Sequence, residues 1–163
     1  MPDVAVFMGS KSDTESMRPC IQVLEQLDIA YTFTITSAHR TPERTERLIR
    51  ELESDGCRVF ICAAGMAAHL AGAVAAKTNR PVLGVPLNAS ALNGMDALLS
   101  TVQMPPGFPV GTLALDKAGA KNAAWLAAQI LALNDAGLAD KIAAARQGFK
   151  DDVDQAAAEL DRG

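Results

Sequence analysis

The sequence predicts an open α/β fold of three layers, with helices covering both faces of a five-stranded parallel sheet. Three observations lead there. Short β-branched runs alternate with helical stretches of about 10 to 18 residues, the spacing of βαβ units. The helical stretches open on residues that cap helices. The composition, 49% hydrophobic and 21% charged over 163 residues, describes one folded domain and excludes a disordered chain. With 30 alanines against five Phe, one Tyr and one Trp, its core must be small aliphatic side chains packed closely.

The candidate strands are Val4–Met8, Tyr31–Thr36, Arg58–Ala63, Pro81–Val85 and Val110–Leu115. Ser12 and Glu15 have the spacing of a capping box and open a helix towards Leu27. Thr41 followed by Pro42 reads as an N-cap and first helical residue, opening a helix that Gly56 ends. A third helix is expected from Gly65-Met66 to about Thr78, a fourth over Gly94–Leu99, and a fifth over Lys121–Asn134. The alanine-rich stretch Leu138–Leu160 reads as a last helix with no strand after it. Such a helix either covers the domain's own sheet or packs on a neighbouring subunit, and its weak, mostly alanine stripe favours the second. The expected organisation is a single domain over 1–163, with a core of about 1–136 and a C-terminal helical extension of about 137–161.

Fifteen basic against 19 acidic side chains leave a formal charge of −4. That balance, with no basic stripe and no interleaved aromatics, argues against nucleic acid as a partner. No run reaches the roughly 18 apolar residues of a membrane span. Met1-Pro2-Asp3-Val4 has no signal-peptide pattern, and Cys20, Cys57 and Cys62 form no C-x-x-C pair. Buried reduced thiols and a cytoplasmic location are the expectations.

In an open parallel sheet, ligands bind beyond the carboxyl ends of the strands, where strand order reverses. Both histidines of the chain fall in such segments. After the first strand, Gly9-Ser10-Lys11-Ser12-Asp13 offers a tight turn, two hydroxyls and amides at a helix start, a ready anion site. It is neither a Walker A loop nor a dinucleotide fingerprint. Taken alone, a serine-rich turn favours the plainer reading, in which Ser12 merely caps its helix. Asp13 repels a bare phosphate and suits a sugar hydroxyl, so the loop points to a phosphorylated sugar. After the second strand, Ser37-Ala38-His39-Arg40-Thr41-Pro42 supplies a planar fork for phosphate in Arg40 and a proton-exchanging group in His39. After the third, Ala63 to Gly72 is a run of small side chains that lets a ligand approach the backbone, with Ala67 and His69 inside it. The reading of His69 is binding or orienting. Two histidines without a further ligand make a poor metal site, so no metal is expected. Leu87–Gly94 and the proline-rich Gln103–Pro109 read as a fixed wall, a subunit contact or plain connections.

These segments resemble the signatures of the PurE-type enzymes of purine biosynthesis. The resemblance rests on Met8–Asp13, Ser37–Pro42, Ala67–Leu70, Leu83–Pro86, Gln103–Pro105 and Pro109–Thr112, in order over nearly the whole chain. It implies a flavodoxin- or Rossmann-like domain and N5-carboxyaminoimidazole ribonucleotide mutase activity, which moves a carboxylate from the exocyclic nitrogen to C4 of the imidazole. It implies a small-molecule substrate, no metal or organic cofactor, and a homo-octamer whose C-terminal helix reaches neighbouring subunits. Residue by residue, His39 matches the catalytic histidine, and Ser10, Asp13 and Arg40 match nucleotide-binding positions. Ser12, Ser37, Ala67 and His69 lie in segments lining the same pocket. The chain departs from the family's Gly-Gly-Ala-Ala-His-Leu-Pro-Gly run at Met66 and Ala71. A related branch carboxylates aminoimidazole ribonucleotide directly with carbon dioxide and resembles Ser-Ala-His-Lys at the second loop, where this chain has Arg40. Besides that carboxylase, a non-catalytic nucleotide-sensing module is the alternative from another class; it would need the phosphate clamp but not His39.

Overall fold

The computed structural model describes residues 1–161; residues 162 and 163, the end of the expected domain, lie outside the described residues. Five parallel strands, β1 (Val4–Met8), β2 (Tyr31–Ile35), β3 (Val59–Gly65), β4 (Val82–Leu87) and β5 (Gly111–Thr112), form one sheet in the order β2-β1-β3-β4-β5. The helices are α1 (Thr14–Gln26), α2 (Pro42–Ser54), α3 (Leu70–Ala75), α4 (Met95–Val102), α5 (Asp116–Ala132) and α6 (Ala136–Leu160).

Period-two alternation in the central strands divides the core. Val4, Val6, Met8, Val59, Ile61 and Ala63 face α1 and α5. Ala5, Phe7, Phe60 and Cys62 face α2 and α3. Both faces of these strands are therefore apolar, as an all-parallel sheet between two helical layers requires. The fully buried Ala120, Ala123, Ala124, Ala127 and Ala128 give α5 a flat stripe that seats directly on the sheet and on α1. That is how a chain poor in aromatics fills its core. The buried thiols follow the expectation: burial pushes Cys20 up to about 12 and Cys62 higher still, so neither ionises near neutrality.

Four local expectations are corrected. The first capping box joins Ser10 and Asp13, not Ser12 and Glu15, because a single 3-10 turn over Lys11–Asp13 precedes α1. The third helix begins at Leu70 and ends at Ala75. β3 runs on to Gly65, and Met66 and Ala68 then take left-handed backbone (φ 55° and 22°), which breaks the chain before His69. α5 starts at Asp116, five residues before Lys121. β5 keeps only two residues of Val110–Leu115, since Pro109 has no amide to donate before it and the chain turns into α5 after it. Among the described residues, no helix is long and apolar enough to cross a membrane.

α6 is capped by Asp135, whose side chain accepts from the Leu138 amide. It buries only Leu138 and Ile142 and adds an edge-to-face contact of Phe149 with Trp125. Beyond that contact its residues are exposed.

Candidate active site

β1 is flanked by β2 on one side and β3 on the other, so consecutive connections leave it in opposite directions and a crevice opens above its carboxyl end. A cavity of about 630 Å³ occupies that crevice, within the ordinary range for small-molecule sites. It is lined by all eight residues singled out from the sequence: Ser10, Ser12, Asp13, Ser37, His39, Arg40, Ala67 and His69. A larger hollow of about 1110 Å³ lies near the amino ends of β4 and β5 and contains none of them.

The first wall is a self-bonded turn. The Ser10 amide donates to Asp13 Oδ2 (3.0 Å), and the Ser12 hydroxyl lies 3.0 Å from Ser10 Oγ and 3.2 Å from Asp13 Oδ1. Asp13 is buried, and that burial raises its carboxyl above the ordinary value of 3.8, against the opposing pull of these donors and of the Arg40 guanidinium. A native carboxyl that holds its proton more tightly than the unfolded one stabilises the fold below 3.8, and stability falls as pH rises through its raised native value. The raised Asp13 carboxyl therefore costs stability at neutral pH. Asp13→Asn, whose amide oxygen still accepts from Ser10, is expected to raise Tm at pH 7 by on the order of 2 °C. Thermal melts should show that gain shrinking as pH is lowered towards 4. A variant melting below wild type at pH 7 would contradict the assignment.

The second wall hangs on a threonine network that the sequence reading missed. Buried Thr36 and Thr45 share a hydroxyl hydrogen bond of 2.7 Å. The Ser37 amide donates to Thr41 Oγ1 at 2.9 Å, and the Arg40 amide donates to Ser37 Oγ at 3.2 Å. Thr41 does cap α2 by position, with Pro42 first in the helix, but its hydroxyl serves the loop and not the helix amides. The loop so braced presents His39 and Arg40 exposed at the cavity. Arg40 Nη2 donates to the Gly9 carbonyl at 3.1 Å, spanning the crevice from the second wall to the first.

The third wall delivers His69, which stands at the N-cap of α3 and not one turn inside it. His39 Nε2 and His69 Nδ1 are hydrogen-bonded at 2.5 Å, with the rings edge to face. A bond between two ring nitrogens needs a proton on one and a bare lone pair on the other, so the bonded pair carries at most one positive charge. One proton is thus held at the pocket between two groups able to take it. Among the described residues, no three His, Cys, Asp or Glu side chains gather as a metal would require. Ala89 completes the lining from the far side of Gly65. It escaped the sequence reading because alanine in a loop carries no chemical signature.

The strand order and the crevice define a flavodoxin-like α/β protein with a small-molecule pocket at its switch point. The chain belongs to the AIR carboxylase family, whose model matches residues 3–152. It is 50% identical over 153 residues to a protein of Saccharolobus solfataricus named N5-carboxyaminoimidazole ribonucleotide mutase, covering 94% of this chain and 96% of that one. A protein of the same name from Escherichia coli is 49% identical over 92% of this chain and 89% of its own. The crystal structure of Treponema denticola PurE superposes with a TM-score of 0.89 at 28% identity, over 98% and 99% of the two chains.

Proposed function

We propose that this chain is a mutase converting N5-carboxyaminoimidazole ribonucleotide to 4-carboxy-5-aminoimidazole ribonucleotide in purine biosynthesis. The observation that carries the reading is the convergence of both histidines, Arg40 and the Ser10–Asp13 turn on one cavity. The names of its relatives agree with it. Arg40 and the serine hydroxyls hold the phosphate, and Asp13 takes a sugar hydroxyl. Protonated His39 gives its proton to the carbamate nitrogen; the carbon–nitrogen bond breaks with its electron pair on nitrogen and carbon dioxide is released into the pocket. The electron-rich C4 attacks that carbon dioxide, and neutral His39 removes the C4 proton, returning to its starting state. His69 orients His39 through the shared hydrogen bond. Retaining carbon dioxide beside C4 supplies most of the advantage, since escape to solvent forfeits the proximity gain.

Purified protein should therefore convert N5-carboxyaminoimidazole ribonucleotide without ATP or added bicarbonate. Failure there, combined with carboxylation of aminoimidazole ribonucleotide at high bicarbonate, would move the chain to the direct carboxylase. The active form is proposed to be a cytoplasmic homo-octamer. Exposed Leu92, Met95, Leu99 and Val102 on and just before α4, and Val153 and Leu160 on α6, support burial against further copies. In that assembly α6 extends the 1–136 core onto a neighbour.

A further inference from the structure

We infer that Asp116 is a positioning residue that clamps the wall of the cavity formed where β4 ends. Its backbone is left-handed (φ 55°), a conformation that aspartate tolerates better than most residues and that favours glycine. What that conformation achieves is a hydrogen bond: Asp116 Oδ1 accepts from the Asn88 amide at 2.9 Å, joining positions 28 apart in sequence. The sheet ladder between β3 and β4 ends with Gly65 opposite Leu87, so Asn88 is the first residue beyond its support. Ala89, which lines the cavity, follows at once.

Ala89 in turn presses on Gly65. A Cβ at position 65 would lie 2.5 Å from Ala89 Cβ and 3.1 Å from the Leu87 carbonyl oxygen, so only glycine admits this approach. Gly65 leads directly into Met66–His69, whose two left-handed residues set the direction of the third wall. The chain of support therefore runs from Asp116 through Asn88 and Ala89 to Gly65 and on to His69. Without its anchor the 88–91 segment is free to lift from Gly65 and open the cavity on the side away from Arg40.

The catalytic part of this inference rests on the proposed mutase reading, where a wall that lifts releases carbon dioxide before C4 recaptures it. The test compares wild type, Asp116→Gly and Asp116→Asn. Glycine keeps the left-handed backbone and deletes only the carboxylate; asparagine keeps an acceptor oxygen. Hydrogen exchange at the Asn88 amide, measured on the protein alone, should be about tenfold faster in the glycine variant and near wild type in the asparagine variant. With N5-carboxyaminoimidazole ribonucleotide, the glycine variant should show KM raised about five- to tenfold. A larger share of its turnovers should end as decarboxylated aminoimidazole ribonucleotide plus carbon dioxide, and asparagine should restore retention. Unchanged Asn88 exchange, or unchanged KM and product partition in a glycine variant beside an active wild type, would overturn the clamp. A wild type that makes no product would overturn the mutase reading instead, while the exchange comparison still decides whether the clamp exists.

Discussion

Replacing His39 with asparagine is expected to lower turnover of N5-carboxyaminoimidazole ribonucleotide by about 10²- to 10⁴-fold, the range that a positioned acid–base group contributes. The fold should survive the change. His39 is exposed at the cavity, and among the described residues its one side-chain hydrogen bond is to His69, so little packing is lost. Substrate binding should also survive, because the groups assigned to the phosphate and sugar, Ser10, Ser12, Asp13 and Arg40, stand on the braced turns and not on His39. The loss therefore belongs in kcat with KM little moved, the pattern of an interaction made on the way to the transition state. His69→Asn should cost less than His39→Asn, since an orienting partner can be partly replaced by water. Equal losses would make the pair one catalytic unit. Near-normal turnover in His39→Asn would end the one-histidine scheme, and retained binding with no reaction in wild type would favour a nucleotide sensor.

Why the eight cavity-lining residues could be picked out from the sequence, while their supports could not, has a physical answer. Ser10, Asp13, His39, Arg40 and His69 are chemistry-bearing types placed directly after β-branched runs, and a parallel sheet brings such positions to one edge whatever else the chain does. Local pattern also suffices for β1, which runs over Val4–Met8 as expected, and for α2, which Pro42 opens. The supports are long-range. Thr36 meets Thr45 only after α2 folds back on the sheet, and Asn88 meets Asp116 only after β5 and its approach have been placed. The left-handed residues Met66 and Ala68 oppose the helix-forming composition around them, so tertiary packing overrides propensity and α3 shortens to six residues. One signal was available at that place. The family pattern has glycine where this chain has Met66, and glycine there marks a backbone that needs positive φ.

The largest stability effect is expected at Gly119, in the first turn of α5. A Cβ built there would lie 1.6 Å from the carbonyl oxygen of Ala114 and 2.6 Å from its carbon. Both are backbone atoms, so no side chain can swing aside, and either the 113–116 segment or the start of α5 must move. Gly119 is buried, and the next residue, Ala120, opens the alanine stripe that fixes α5 on the sheet, so moving the helix disturbs the core on that face. Gly119→Ala should therefore destabilise by about 3 kcal/mol or more, the upper part of the range for overpacking. In a chain of this size that lowers Tm by roughly 6–12 °C. Gly148→Ala is the matched control within one chain, because a Cβ there meets nothing of its own chain within 4 Å, and alanine inside α6 should stabilise the isolated subunit by about 0.5–1 kcal/mol. The Gly119 defect has a second consequence in the cavity. Asp116 stands three residues before the clash, so moving this segment pulls its carboxylate from the Asn88 amide. At temperatures where Gly119→Ala remains folded, it should show the same faster Asn88 exchange as Asp116→Gly. A Gly119→Ala protein with wild-type Tm would mean that the entry to α5 yields without cost and that the approach of Ala114 does not constrain it.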